Sequence, residues 1–181
     1  MKNSWLVWLL GAMVSLPLIL GLQSLLLELP APFRNISVPL LVLSLGLLVW
    51  KSGVIVWYAA ALYGILDWYT ATPYGLVLYS GTLAMLAVVW LYRAVITNQG
   101  ILAAALVTAA LTTFFNLFYA FGRALLSVVN DTVSFPGAAW LTTYLSQLLI
   151  TVLTAVLVYL VLARIIPALK VTHTRHPGLY A

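Results

Sequence analysis

Residues 138–163 read AAWLTTYLSQLLITVLTAVLVYLVLA, a run without a charged side chain. An α-helix rises about 1.5 Å per residue and the hydrocarbon core of a bilayer is about 30 Å thick, so this run is long enough to cross it. Similar apolar runs fill most of the chain, and the charged residues lie mainly at the breaks between them. The sequence therefore predicts an all-α, polytopic membrane protein.

The composition of the 181-residue chain excludes a soluble globular protein. Hydrophobic residues make up 65% of it and charged residues 6%, whereas soluble domains contain about 25% charged residues. The formal net charge is +5, but the basic residues stand singly at predicted helix ends, where they fix topology and meet anionic lipid head groups. We expect a lipid bilayer around the chain and no nucleic acid, because the sequence has neither a basic cluster nor an aromatic platform.

The breaks predict about six membrane-spanning helices in one bundle over residues 1–164, followed by a short basic tail over residues 165–181. The predicted spans cover residues 5–27, 36–50, 53–69, 74–92, 100–122 and 138–163. The first is interpreted as a retained span, because it is too long for a secretory signal. Residues 36–69 form either two short spans or a partly re-entrant hairpin. A single helix through Lys51 is the alternative, at the cost of a charge near its middle.

The distribution of basic residues predicts the orientation. With the N-terminus in the cytoplasm, six of the basic residues lie inside: Lys2, Lys51, Arg93, Arg164, Lys170 and Arg175. Only Arg34 and Arg123 lie outside, so the positive-inside rule favours an even number of spans with both termini cytoplasmic. The longest predicted loop, residues 123–137, is apolar enough to lie on the outer membrane interface.

Catalytic chemistry has no recognisable basis in this sequence. Cysteine is absent, which excludes disulfides, thiolate metal sites and cysteine nucleophiles. The three carboxylates, Glu28, Asp67 and Asp131, are widely separated, and the only histidines, His173 and His176, lie in the tail. A disordered basic tail explains these histidines better than a metal site does. We expect no enzyme activity, no metal and no cofactor.

Asp67 is the first candidate functional residue. It stands near the end of the third predicted span, in the stretch YGILDWYTATPYG of residues 63–75. An ionisable side chain this close to the hydrocarbon edge is a functional candidate, and Arg34 and Arg123 are its plausible cationic partners at the same depth.

The alternative interpretation of Asp67 is structural. Its carboxylate would cap the following turn, accepting hydrogen bonds from the amides of Tyr69 or Thr70 before Pro73 opens the fourth helix. Both interpretations can hold together, because a capping carboxylate can also fix the turn against a partner protein.

Polar side chains recur at helical spacing on the last two predicted spans. The fifth carries Thr108, Thr112 and Asn116, and the sixth carries Thr143, Gln147 and Thr151. Interhelical hydrogen bonds, worth about 0.6 kcal/mol each, are the ordinary explanation for such stripes, and a polar ligand cavity between the two is the alternative. Small residues one turn apart, such as Ala60 and Gly64, predict that another helix backbone comes close.

The sequence Gly64-Ile-Leu-Asp67, followed by Pro73-Tyr-Gly75, resembles the MreD family of bacterial rod-shape-determining membrane proteins. The family pattern is a span ending in glycine, two apolar residues and aspartate, then a short turn, proline, any residue and glycine. The motif carries over onto Gly64, Asp67, Pro73 and Gly75. The span count and the near absence of soluble regions are also similar.

The resemblance implies a noncatalytic component of the cell-elongation machinery in the bacterial cytoplasmic membrane. Its implied partners are an MreC-like periplasmic protein, the cytoskeletal protein MreB and peptidoglycan synthases. The chain departs from the family in having only Arg93 ahead of the break at residues 96–100, where a more basic cytoplasmic loop is expected.

A second family, the substrate-binding subunits of energy-coupling-factor transporters, looks similar in fold and gives an alternative function. Such a subunit would use the stripes containing Thr108 and Thr143, with the outer loop, as a small-molecule pocket, and Gly11 and Ser15 would face its coupling partner. Aromatic and polar residues around one outward cavity would favour this alternative. A packed bundle with an exposed turn at Asp67 would favour the elongation scaffold. A lipid-facing protein of unassigned role is the third alternative.

Overall fold

The computed structural model describes residues 4–31, 33–50, 52–70, 75–95, 100–129 and 138–165. In these ranges all regular secondary structure is helical, which confirms the all-α prediction. The α-helices are α1 (Ser4–Glu28), α2 (Val38–Trp50), α3 (Val54–Thr70), α4 (Leu76–Val95), α5 (Ile101–Val129) and α6 (Ala138–Ile165), with a short 3-10 helix at Phe33–Asn35. Apart from Ile165, the predicted tail lies outside the described residues.

Three of these helices are long and apolar enough to cross a membrane: Leu76–Ala94 in α4, Ile101–Val128 in α5 and Trp140–Ile165 in α6. The apolar helix α2, Val38–Trp50, is shorter. Length and composition therefore support a membrane protein.

The outer face of α6 is a row of exposed apolar side chains. The row consists of Leu141, Leu145, Leu149, Leu153, Leu157, Val161 and Ile165, each more than half exposed. Side chains four residues apart are neighbours along a helix, so the row forms a continuous apolar stripe that winds around α6. A stripe of this extent would be an aggregation hazard in water and is what a hydrocarbon surface requires.

The shortest α-helix, α2, lies at the centre of the bundle. Eight of its 13 residues are buried, and Leu43 and Ser44 are fully buried. It packs against α1, α3, α5 and α6. A helix that is hydrophobic on every side is expected to be surrounded by protein or lipid, and α2 is surrounded mainly by protein. At about 1.5 Å per residue it is about 20 Å long, which is shorter than the hydrocarbon core.

The helix is interrupted between α2 and α3. The alternative prediction of a single helix through Lys51 is therefore wrong. The amide of Ile55 donates to the carbonyl of Ser52 at 3.3 Å, and the amide of Val56 donates to the carbonyl of Gly53 at 3.1 Å. These bonds begin α3 immediately after the break. Residues 36–69 thus contain two helices in contact with one another.

The fifth helix extends further than the sequence predicts. We expected a loop from Arg123, whereas α5 continues through Val129. Residues 123–129 read RALLSVV, which contains neither glycine nor proline, and Arg, Ala and Leu favour helix. The hydroxyl of Ser127 also donates to the carbonyl of Ala124 at 2.8 Å, inside the helix. A charged side chain alone is not a helix terminator, and the loop prediction for these residues was wrong.

Candidate functional site

The Asp67 carboxylate connects two consecutive helices. It lies near the C-terminal end of α3, and its Oδ1 atom accepts a hydrogen bond of 2.9 Å from the amide of Val77. Val77 is the second residue of α4. The first amides of a helix have no partner inside the helix and carry a partial positive charge, so a carboxylate is well suited to them. Asp67 therefore caps α4 from the preceding helix.

This contact gives Asp67 the capping role that its sequence context predicts, with a different donor. The amides of Tyr69 and Thr70 were the predicted donors, but α3 continues as a helix through Thr70 and both amides lie within it. The hydroxyl of Thr70 approaches the backbone carbonyl of Asp67 at 3.5 Å. The cap therefore acts across the turn, between two helices, rather than within one.

Gly75 immediately precedes α4 and lies beside this carboxylate. Its φ angle is 70°, in the left-handed region where a side chain is strained and glycine is not. A Cβ atom at Gly75 would stand 3.7 Å from Oδ2 of Asp67. Two positions of the predicted motif, Asp67 and Gly75, are therefore neighbours in space. Pro73 lies outside the described residues.

Gly64 does not mark the close helix approach that its sequence predicts. A Cβ atom there would lie 3.8 Å from Cδ1 of Leu78, which is an ordinary contact. Much closer approaches occur at Gly81, where a Cβ would collide with the Tyr63 ring, and at Gly122, where it would collide with Leu76. Both glycines lie on helices without a recognised small-residue motif.

Two exposed aromatic side chains follow Asp67 at the end of α3. Trp68 is 88% exposed and Tyr69 is 75% exposed, while Asp67 between α3 and α4 is partly buried. Arg34 lies exposed in the 3-10 helix, and Arg123 lies partly buried in α5. An ion pair between Asp67 and either arginine stays a prediction.

The polar stripe on α5 is used for contacts between helices. The hydroxyl of Thr108 lies 2.9 Å from Ser44 Oγ on α2 and 2.8 Å from the carbonyl of Ala104. One turn later the Thr112 hydroxyl donates to the carbonyl of Thr108 at 2.9 Å. These side chains are fully buried. The stripe therefore joins α5 to the central helix α2.

Only part of the predicted polar stripe on α6 contacts α5. Asn116 Nδ2 donates to Gln147 Oε1 at 3.2 Å and to the carbonyl of Thr112 at 2.9 Å. Thr143, by contrast, is exposed. The predicted stripes line neither the cavity between α3 and α4 nor the cavity among α1 to α5. The observed contacts agree with hydrogen bonding between helices as the role of the stripes.

A cavity of about 790 Å³ lies elsewhere, among α1 to α5. Its wall is mostly apolar and includes Pro17, Leu20 and Leu27 of α1, Leu66 of α3, Val77 of α4 and Phe115 of α5. Polar members of the wall include Gln23 and Ser37. The sequence did not predict this cavity, because its residues come from five helices and share no spacing pattern.

Tyr63 forms part of the cavity wall and is 2% exposed. Its ring stacks on Phe115 with centroids 5.4 Å apart and planes at 22°, and it covers Gly81 on α4. The Tyr63 hydroxyl has no hydrogen-bond partner among the described residues. A tyrosine in an apolar span immediately before the motif was the only sequence signal for this position.

The described residues contain no group of three side chains that could bind a metal ion. His173 and His176 lie outside the described residues. Comparisons of the chain with known protein families, with curated proteins and with solved structures find no match.

Proposed function

We propose that the chain is a noncatalytic, multi-pass component of the cell-elongation machinery in the bacterial cytoplasmic membrane. In this proposal the six α-helices all belong to the membrane bundle, both termini are cytoplasmic, and the α3–α4 turn faces outward. The protein would scaffold an MreC-like protein and peptidoglycan synthases. The observation that carries the proposal is the hydrogen bond between the Asp67 carboxylate and the amide of Val77.

That hydrogen bond gives the aspartate of the motif a structural role. Asp67 holds the end of α3 to the beginning of α4, and Gly75 allows the backbone to turn beside it. Helix ends that are held together in this way present their exposed side chains in one arrangement. Preorganisation of this kind lowers the entropy lost when a partner binds.

The exposed aromatic residues supply a contact surface at the same place. Trp68 and Tyr69 are among the most exposed side chains of the described chain. Aromatic side chains contribute strongly to protein interfaces and also lie well at the membrane boundary. A partner with a membrane-proximal segment would therefore meet an aromatic surface where the ends of α3 and α4 are joined.

The polar groups of the bundle interior support a structural role. Hydrogen bonds join Thr108 to Ser44, Asn116 to Gln147 and Ser15 to Tyr58, in each case between different helices. Groups used in this way stabilise a bundle and leave little for acid–base chemistry.

Affinity purification of the tagged protein from its native membrane in mild detergent, followed by mass spectrometry, tests the proposal. Recovery of an MreC-like protein or a cell-wall synthase supports it. The variant Asp67→Asn is the matched probe, because an amide oxygen retains the hydrogen-bond acceptor and removes the charge. Unchanged recovery of partners with this variant would rule out a role for the charge in binding.

The substrate-binding subunit of an energy-coupling-factor transporter is the second candidate function. The cavity beside Tyr63 favours it, since aromatic and polar residues line one concave site. The predicted pocket between the α5 and α6 stripes does not favour it, because Thr108 is buried against α2 and Thr143 is exposed. Recovery of an energy-coupling transmembrane subunit with two ATPases would establish this function in place of the scaffold.

A further inference from the structure

We propose that a groove between α3 and α4 binds one phospholipid with an anionic head group, whose phosphate contacts Arg93 and whose acyl chain lies along the groove. This α3–α4 groove is lined by residues from 53–60 on one side and from 82–93 on the other. Lipid binding here requires only that the two helices lie in a membrane. It does not involve the partner proteins of the proposed function.

The walls of the α3–α4 groove are formed by one face of each helix. Val56 and Ala60 lie one turn apart on α3, and Leu86 and Val89 lie one turn apart on α4. All four side chains are apolar. The volume of about 380 Å³ falls within the range of about 300–1,000 Å³ that is usual for small-molecule sites. The groove therefore suits a hydrocarbon chain.

The length of the groove matches the depth of one membrane leaflet. From Thr82 to Arg93 the wall extends about 16 Å along α4, at about 1.5 Å per residue. The hydrocarbon core of a bilayer is about 30 Å thick, so each leaflet contributes about 15 Å. A lipid in a single leaflet would therefore have its head group at Arg93 and its chain directed towards Thr82.

Arg93 gives one end of the groove a positive charge. It is exposed in the last turn of α4, and its Nη2 atom lies beside Gly53, where an added Cβ would be 3.3 Å away. Within the described residues no ion pair engages Arg93. Asp67 bonds to the amide of Val77, which is about 24 Å from Arg93 along α4 at about 1.5 Å per residue. The guanidinium is therefore available to an anion.

The chemistry of the groove defines the head group. A guanidinium binds phosphate through two parallel hydrogen bonds. The described residues that line the groove include no acidic side chain, so the ammonium of a zwitterionic head group would find no partner of opposite charge there. Basic pockets between membrane helices bind anionic head groups in the same way. We therefore expect the groove to favour an anionic lipid over a zwitterionic lipid with the same chains.

Exposed tryptophans indicate that this end of the groove lies at the level of the head groups. Trp57 lines the groove one turn after Gly53, and Trp90 lies one turn before Arg93 on α4. Both side chains are exposed. Tryptophan is enriched where hydrocarbon meets head groups, because its ring is apolar and its N–H group is polar. Two such rings beside an exposed arginine fit this boundary.

Native mass spectrometry of the purified full-length protein tests the proposal. The probes are dioleoylphosphatidylglycerol and dioleoylphosphatidylcholine, which share their acyl chains and differ in head-group charge. We expect the first bound phosphatidylglycerol to be held more tightly than phosphatidylcholine. The variant Arg93→Gln should weaken phosphatidylglycerol binding about fivefold, the loss expected for one basic side chain at an anionic surface. Binding of phosphatidylcholine should be nearly unchanged in this variant.

The variant Arg164→Gln is the matched control. Arg164 is likewise exposed in the last turn of a long apolar helix, α6, but it does not line the groove. Its removal should leave phosphatidylglycerol binding nearly unchanged. Equal weakening by the two variants would show a general attraction between basic helix ends and anionic lipids, and would overturn the proposal. Equal binding of the two lipids by the unmodified protein would also overturn it.

A photoreactive lipid tests the location of the chain independently. The probe is a phosphatidylglycerol with a diazirine midway along one acyl chain, and the adducts are mapped by peptide mass spectrometry. We expect adducts on the walls of the groove, around Ala60 and Leu86, and fewer of them in Arg93→Gln. Adducts on the exposed row of α6, around Leu153, should not respond to that variant. Labelling of the α6 row without enrichment in the groove would contradict the proposal.

Discussion

The carboxylate of Asp67, at the end of α3, accepts a 2.9 Å hydrogen bond from the amide of Val77, at the beginning of α4. The two residues are ten positions apart, and this bond joins the end of one helix to the beginning of the next. Asp67, which its sequence context marks as a functional candidate, is thus also a structural cap. The relationship explains why aspartate and glycine both occur in one short motif, since Gly75 delivers the amide to the carboxylate.

The cap predicts a difference between two substitutions of Asp67. Loss of a capping side chain costs about 0.5–2 kcal/mol, and asparagine caps about as well as aspartate. We expect Asp67→Ala to destabilise the protein by about 1 kcal/mol and Asp67→Asn to have a much smaller effect. The thermal unfolding midpoint in detergent measures both. Equal destabilisation by the two variants would show that the charge, rather than the hydrogen bond, provides the stability.

Glycine is required at position 75 and not at position 64. An L-residue in the left-handed region costs about 1–2 kcal/mol, so Gly75→Ala should destabilise by about that amount. Gly64→Ala places a methyl group at ordinary contact distance from Leu78 and removes a flexible residue from a helix. We expect it to be neutral or stabilising. Unfolding midpoints for the pair provide the measurement, and destabilisation by Gly64→Ala alone would contradict the geometry.

The contact between Tyr63 and Gly81 should tolerate no added methyl group. A Cβ at Gly81 would collide with the aromatic ring of Tyr63, which is itself held against Phe115. Overpacking of a buried site costs about 1–3 kcal/mol, so Gly81→Ala should lower the unfolding midpoint clearly. Gly21→Ala, where the methyl group meets nothing, is the control and should leave the midpoint unchanged or raise it, since alanine favours helix over glycine. A tolerated Gly81→Ala would mean that the ring lies elsewhere.

The hydrogen bond between Asn116 and Gln147 should be measurable as a coupling energy. The side chains join α5 to α6 at 3.2 Å, and such bonds inside membrane bundles average about 0.6 kcal/mol. A double-mutant cycle of Asn116→Ala and Gln147→Ala should give a coupling energy of about this size. A coupling energy of zero would remove this contact from the explanation of the polar stripes.

The local composition predicted the helices well. Pro30 follows the end of the first apolar run, and Ser52 and Gly53 separate α2 from α3. Clusters of such residues favour breaks between helices, whereas the isolated Pro17 lies inside α1. The end of α5 was missed because Arg123 was treated as a break. No residue after it, up to Val129, opposes helix formation, so the helix continued.

The site was predictable only where it is local in sequence. The capping role of Asp67 followed from its position before a turn, although its donor did not, because the predicted amides turned out to be helical. The cavity beside Tyr63 depends on the meeting of five helices, and such an arrangement leaves no periodic pattern in the chain. The need for glycine at position 81 likewise comes from the Tyr63 ring on another helix, which packs against it.

The most direct measurement of the central claim is site-specific photocrosslinking at the Asp67 turn in the native membrane. A photoreactive amino acid would replace Trp68, which is 88% exposed beside the turn, and in a parallel variant Leu153, which is 57% exposed on the apolar face of α6. The scaffold proposal predicts a protein adduct at position 68 that contains an MreC-like protein or a cell-wall synthase, and no such adduct at position 153. Lipid adducts alone at both positions would contradict it.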